Sequence, residues 1–445
     1  MRINKLKIRN FKGFENEEIT FNGNLTVAIG NNTSGKTSML HAIQIGLGAY
    51  LQSLKSLRGG KAFRRNFTES DRFLRYSQEK KDYFPNSDST RIDIEADFVD
   101  TIRTSEGTFE FTSRPVHWYR EFTKAGSTTH NQICAGDLIN AVSELERKRE
   151  EPDNNAVLPI VLSFGTNRIE AQMRTSRKVQ ERQQRIEKAY KASLLDQVDF
   201  SGAMEWLKRY EKNIKDGKEF EGTRDAFYNA LQTAIPALSE IDIENGEIEA
   251  VVTVEGKHPA RHHYSFMSNG LKSMISIVSE ISYRCIELNG FLGKDAVVNT
   301  PGIVLIDEVE LYLHPKWQQH ILSDLQKAFP NIQFIVTTHS PFIVQSLKEG
   351  QLWSFDDGVV TDGMPYKEGL EDIASERMGM ENEIRSKRFN EMVEIATEYF
   401  KETDAHNSEK AKDLREKLKL IESEFSDDPA YVAMIKMEYK SKTAK

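Results

Sequence analysis

An α/β fold is predicted: a mixed sheet with an antiparallel β element, split by a helical insertion and followed by a helical C-terminal segment. Three observations carry this expectation. The short apolar runs 303–306 and 334–336 read as buried parallel strands, and the β-branched run 25–29 as a strand that ends at Gly30. The alternating stretch 90–122 reads as antiparallel strands. Stretches dense in Glu, Lys, Arg and Gln, at 137–151, 174–210 and from 380 onward, read as exposed helices.

Taken in order, Ile3, Leu6 and Ile8 mark a first strand, and Phe11 and Phe14 enclose a Lys-Gly turn. The run 25–29 stops at Gly30, after which Met39, Ile43 and Leu47 recur at helical spacing. Ile92, Ile94 and Ala96 alternate with Asp93, Glu95 and Asp97, and 108–112 repeats the pattern across a Ser-Glu-Gly turn. Both are expected to extend the main sheet. The run 158–164 is a buried strand inside the otherwise helical middle, and 243–254 reads as one further strand. The runs 303–306 and 334–336 read as parallel strands joined by a helix. In the tail, Met392, Ile395 and Tyr399, then Leu414, Leu418 and Ile421, keep helical spacing. This divides the chain into an N-terminal lobe (1–122), a helical insertion with one core strand (123–240), a C-terminal lobe (241–375) and a helical segment (376–445).

The chain has 445 residues, with 60 Lys plus Arg against 68 Asp plus Glu and a net charge of −8. That balance excludes a globally basic, nucleic-acid-coated protein and leaves only local patches for DNA. Two such patches are Lys55, Arg58, Lys61, Arg64 and Arg65, and Arg174, Arg177, Lys178, Arg182 and Arg185; solvated helix faces are the competing reading. No run approaches the roughly 18–20 apolar residues of a spanning helix, and the first residues lack a secretory core. The expectation is a cytoplasmic protein with no membrane partner. Two cysteines, Cys134 and Cys285, indicate neither a disulfide framework nor a zinc site.

Gly30, Asn31, Asn32, Thr33, Ser34, Gly35, Lys36 and Thr37 fit G-x-x-x-x-G-K-[ST], with a strand before and a helix after. Backbone N–H groups of such a loop and of the helix start, here including Ser38, wrap phosphates. Lys36 is expected on the β- and γ-phosphates, and the Thr37 hydroxyl on Mg²⁺. The strand 303–306 ends in Asp307, a second Mg²⁺ ligand, and Glu308, placed to deprotonate the attacking water. Ser268, Asn269 and Gly270 open a helix with a hydroxyl and backbone donors. His339 follows the buried run 334–336 and can donate to the γ-phosphate.

With these four elements in the chain order phosphate loop, Ser268 turn, acidic strand and His339, the chain resembles an ABC-type ATPase head, a P-loop NTPase of the group that includes RecF, the structural-maintenance-of-chromosomes heads and the overcoming-lysogeny-defect ATPases. The resemblance covers 1–50 and 240–365. It makes Gly30 to Thr37 the Walker A loop, 303–308 the Walker B strand, Ser268 to Gly270 the signature turn and His339 the switch histidine. It implies ATP and Mg²⁺ as ligands and an ATP-sandwiched pair of heads or a higher oligomer, with Ser268 and Gly270 acting across the pair. The opening Lys7-Ile8-Arg9-Asn10-Phe11-Lys12-Gly13-Phe14 is similar to the family's first strand, where Lys12 would approach the nucleotide. Two departures stand out. Thr33 occupies a position that is usually Gly, costly if positive φ is needed there. Leu271 replaces the polar residue common after the signature glycine. A Gln loop is not identifiable.

Within the group, the charged insertion sets the chain apart from transporter heads, and it lacks the sustained heptads of a long coiled coil. About 105 residues follow His339, without the acidic pattern of a Toprim nuclease; Asp356–Asp357 and Asp427–Asp428 read as turn and helix-start acids. His130-Asn131 and His262-His263 do not form an HNH site and read as exposed loop residues. The segments 158–168 and 307–318 resemble those of bacterial antiphage ATPases of the PtuA branch, from Septu systems and some retrons. That resemblance implies a separate HNH nuclease partner of the PtuB kind, with ATP-dependent head pairing as the control; the C-terminal helices are candidates for docking it. Three alternatives stay open: a RecF-like repair ATPase that binds DNA directly, an ATP-locked scaffold with little turnover, and a relative of the PARIS ATPase, which partners a Toprim nuclease.

Overall fold

The computed structural model describes residues 1–57, 63–86, 88–103, 109–123, 126–150, 156–166, 185–196, 200–217, 222–244, 247–253, 256, 258–355, 359–360, 365–380, 391, 394–396, 398–399, 401–402, 410 and 412–417. Met1–Glu368 is one compact unit and Gly369–Lys445 a second.

In the first unit, β1 (Arg2–Phe11), β2 (Phe14–Thr20) and β3 (Leu25–Ile29) precede α1 (Lys36–Ser53). Then come β4 (Leu74–Ser77), β5 (Asp82–Pro85), β6 (Thr90–Arg103), β7 (Phe109–Phe122) and α2 (Gln132–Glu150). The middle holds β8 (Ile160–Phe164), α3 (Arg185–Tyr190), α4 (Phe200–Lys215) and α5 (Thr223–Ala234). After β9 (Leu238–Glu244), β10 (Glu247–Val252) and β11 (Ala260–His263) the chain enters α6 (Asn269–Asn289). The unit ends with β12 (Gly302–Ile306), α7 (Pro315–Gln318), α8 (Ile321–Ala328), β13 (Ile332–Thr337), α9 (Pro341–Gln345), β14 (Leu352–Ser354) and β15 (Val359–Val360).

Among the described residues, the central sheet has six strands in the order β15-β14-β3-β13-β12-β8. All neighbours are parallel except the β14–β15 pair. Every residue of β3, β8, β12 and β13 is buried, as expected where helices cover both faces of a parallel sheet. Their carboxyl ends therefore open on one edge, where loops alone decide the chemistry.

The antiparallel strands do not lengthen this sheet. They form their own four-stranded sheet, β2-β1-β6-β7. There β1 pairs β2 on one side and β6 on the other, while in the central sheet β13 and β14 flank β3. Gln333 of β13 links the sheets, accepting from Ile3 N at 2.8 Å and donating to Ile3 O at 2.8 Å. Helix α1 lies against the antiparallel sheet, where Trp118 Nε1 donates to Gly46 O at 2.9 Å and Arg120 Nη1 to Ile45 O at 2.9 Å. Burial, then the charge of Arg64, lowers the pKa of the enclosed Arg120 guanidinium to about 9.

The stretch 243–254 does not form one strand: β9 and β10 pair antiparallel there, with β11 beside them. His262 and His263 lie on β11, opposite Ala250 and Glu249, and so are strand residues rather than loop residues. Cys134 and Cys285 are free and buried, and burial pushes the Cys285 thiol up to about 12. Among the described residues, no helix is long and apolar enough to cross a membrane.

The second unit begins with α10 (Leu370–Asp372), which runs into a π-helical turn over Ile373–Arg377. Farther on, Lys410 pairs with Glu398 and Glu402 at 3.0 Å each, and Leu414 is buried. Met392, Leu418, Ile421 and Asp427–Asp428 lie outside the described residues, as do Asp356–Asp357, the Ser-Glu-Gly turn, Arg58, Lys61, Arg174, Arg177, Lys178 and Arg182.

Candidate functional site

The phosphate loop leaves β3 at Gly30 (φ +150°) and enters α1 through Gly35 (φ +109°), both in conformations that L side chains rarely adopt. Space forbids a side chain as well. A Cβ on Gly35 would lie 2.3 Å from the Phe14 ring, and one on Gly30 would lie 2.6 Å from Ser34 Oγ. Phe14 in turn stacks on Phe355, ring centroids 5.8 Å apart, so two aromatic rings back the loop. Thr33 takes φ +73°, the left-handed region in which a β-branched residue is strained. Thr33→Gly is therefore expected to raise the unfolding free energy by about 1 kcal/mol, as read from the urea midpoint. A fall in the midpoint would refute strain at this position.

The loop forms one wall of a cleft of about 220 Å³, lined by Asn32, Thr33, Gly35, Lys36, Thr37, Ser38, Asp307, Glu308, Thr337 and His339. Lys36 Nζ donates to Gly30 O at 2.6 Å and Asn31 O at 2.9 Å, so the ammonium spans its own loop. Thr37 Oγ1 donates to Asp307 Oδ2 at 3.0 Å. The other oxygen of Asp307 accepts from Thr337 Oγ1 at 2.6 Å. The same Thr337 hydroxyl accepts from Glu308 N at 2.8 Å, and Glu308 holds φ +47°. Glu310 fixes the next loop, accepting from Thr338 Oγ1 at 2.8 Å and from His339 N at 2.5 Å; the His339 side chain is exposed at the cleft.

Hard oxygen donors suit Mg²⁺, which is held by one or two protein ligands together with phosphates and water. Thr37 and Asp307 fit that pattern. Among the described residues no cluster of three or more His, Cys, Asp or Glu could hold a metal by itself, so the substrate's phosphates would complete the shell.

Ser268 and Gly270 do not line this cleft. Ser268 caps α6, its Oγ accepting from Leu271 N at 3.4 Å, and a Cβ on Gly270 would lie 2.7 Å from Tyr312 O. Leu271 is buried, which accounts for an apolar residue at that position. Phe266, just upstream, is 82% exposed. Lys12 is also outside the cleft lining. Its Nζ lies 2.6 Å from His41 Nδ1 and 3.8 Å from Asp71 Oδ1. Burial, then the charge of Arg65, lowers its pKa. Of the first basic patch, Arg65 turns inward to Gln44 Oε1 (3.1 Å) and Asp196 Oδ2 (3.7 Å), while Lys55 pairs with Glu150 at 3.5 Å.

Sequence reasoning missed Thr337 and Glu310, whose hydroxyl and carboxylate orient the acid pair and the loop that carries His339. Each lies two residues from a motif residue, Glu308 or His339, and the Thr337-Thr338 pair before His339 was the available signal. The buried strand expected at 158–164 is present as β8, but its place beside Asp307 was not foreseen: β8 is parallel to β12, and Phe164 O accepts from Asp307 N at 2.9 Å.

A family model described as AAA domain matches residues 5–261, more than half of the chain. The Retron Ec83 probable ATPase of Escherichia coli is 25% identical over 423 residues, spanning 80% of this chain and 72% of that protein. Septu protein PtuA of Bacillus thuringiensis is 32% identical over 175 residues, 36% of this chain and 42% of that protein. Among solved structures, an Smc head bound to the C-winged helix domain of ScpA is 18% identical with a TM-score of 0.46, covering 82% of this chain and 99% of that one.

Proposed function

The chain belongs to the AAA domain family, with the fold of an ABC-type P-loop ATPase head, and from that premise we propose that it is the ATP-hydrolysing regulatory subunit of a bacterial antiphage defence complex. The observation that carries the ATPase reading is the meeting of Thr37 and Asp307 at 3.0 Å, inside one cleft with the phosphate loop, Glu308 and His339. These residues follow three parallel strands, β3, β12 and β13, whose carboxyl ends share an edge. Bound Mg²⁺ would be held by Thr37 and Asp307 and would neutralise phosphate charge. Lys36 exchanges its loop carbonyls for phosphate oxygens, Glu308 takes the proton of the attacking water, and His339 donates to the transferred phosphoryl group.

The defence reading draws on relatives named as retron and Septu ATPases. In this reading ATP joins two copies, with Ser268 and Gly270 of one facing the phosphates of the other. This fits their place outside the cleft of their own chain. A separate HNH-type nuclease of the PtuB kind is the effector, and DNA meets the complex through local basic patches.

ATP binding and phosphate release by the purified chain test the first step. Lys36→Ala should weaken ATP binding about 10- to 100-fold, the worth of a lost charge-assisted hydrogen bond. Equal affinity in the variant would remove Lys36 from the site. Co-expression with the neighbouring open reading frame, followed by DNA cleavage assays with and without ATP, tests the second.

A further inference from the structure

Thr37, His41 and Gln44 follow one another at i, i+4 and i+7 and so share one face of α1. At the start of that face Thr37 meets Asp307. One and two turns later, His41 and Gln44 meet a second carboxylate, Asp196, which comes from the insertion. Asp196 accepts from Ser163 Oγ at 2.5 Å and closely from Gln44 Nε2. It faces His41 Nε2 at 3.6 Å and Arg65 Nη1 at 3.7 Å. Burial alone would raise its pKa, but the hydrogen bonds from His41 and Ser163 and the charges of His41 and Arg65 bring it below the ordinary value, so Asp196 is ionised at neutral pH.

Ser163 sits on β8, and the next residue, Phe164, accepts the backbone N–H of Asp307. Asp196 thus ties the face of α1 that carries Thr37 to the strand that holds Asp307. The segment bearing it is itself fastened. Ser193 O accepts from Ser163 N at 2.8 Å, Tyr190 Oη donates to Pro159 O at 2.6 Å, and Arg284 of α6 donates to Ala189 O and to Lys191 O. The approach is close enough that a Cβ on Gly165 would lie 2.9 Å from the Asp196 Cβ.

We propose that Asp196 is a positioning residue of the nucleotide site, setting the distance between Thr37 and Asp307 and thereby the affinity for Mg²⁺-bound nucleotide. The assignment rests on the ATPase reading and extends it, bringing a residue of the insertion into the metal arrangement.

Equilibrium binding of ATP to the full chain, once with Mg²⁺ and once with EDTA, tests it. Asp196→Ala should lose about tenfold of the tightening that Mg²⁺ confers, the lower end of what lost outer-shell support costs a metal site. Its affinity in EDTA should stay within about twofold, because the phosphate-loop donors precede the tie. Adding Gln44→Ala should deepen that loss, since Gln44 Nε2 also donates directly to Ser163 Oγ at 2.8 Å and so ties α1 to β8 a second time. Ser163→Ala, which removes one donor and keeps the charge, serves if the first variant does not fold, and should lose about two- to threefold. An unchanged Mg²⁺ effect in the folded variants, or equal weakening with and without Mg²⁺, would overturn the assignment. Failure of the native chain to bind ATP under either condition refutes the ATPase reading, and with it this extension.

Discussion

Glu308→Gln is expected to slow ATP turnover by about 10²- to 10⁴-fold while leaving ATP affinity within a few-fold. The substitution keeps the shape of the side chain and removes its capacity to take a proton. It leaves the backbone arrangement intact, because Glu308 N still donates to Thr337 Oγ1 and Val309 N to Thr337 O. The hydrogen bonds that Asp307 accepts from Thr37 and Thr337 do not involve the Glu308 side chain. Steady-state phosphate release measures the first effect, and equilibrium binding the second. With hydrolysis blocked, ATP-joined pairs should accumulate, visible as a doubled mass in light scattering. Hydrolysis at the native rate would mean that another group activates the water.

The largest effect on stability is expected at Arg284. This guanidinium and the Glu280 carboxylate are both fully enclosed, 2.5 Å apart along one turn of α6. The same guanidinium satisfies the carbonyls of Ala189 and Lys191. Arg284→Ala leaves a buried carboxylate without its cation, and so should cost about 3–5 kcal/mol in urea unfolding. Replacing both partners together, by Glu280→Leu with Arg284→Met, should recover most of that loss, because an apolar pair removes the desolvation penalty along with the attraction. If Arg284→Ala cost under about 1 kcal/mol, the pair would be hydrated in solution and α6 would not clamp the segment before Asp196.

Much of the site is legible one residue after another. Gly30 to Thr37 can be read directly, since a phosphate loop is a turn chemistry in which each backbone angle answers to its own side chain. The strain at Thr33 was foreseeable for the same reason, and its φ of +73° bears it out. The acids after 303–306 and the histidine after 334–336 are legible because a fully apolar run marks a buried strand and its polar exit marks the open edge.

Less legible is anything that depends on which strand lies beside which. Residues 90–122 read as strands, but that they pair with β1 in a sheet of their own and do not extend the main one is a matter of strand partners. Thr337 and Asp307 are 2.6 Å apart because β12 and β13 are neighbours, and the apolar pattern that identifies each strand carries no address for its partner. Asp196 is the extreme instance. It lies in a charge-rich stretch where an acid ordinarily means a solvated surface, yet its carboxylate gathers donors from α1 and β8. Turn geometry and hydrophobic periodicity are local properties of the chain, so the residue order alone determined the loop, the acid pair and the fold class. Strand order and helix placement depend on which apolar faces close over one another, so only the folded chain decided how Thr37, Asp307, Thr337 and Asp196 meet.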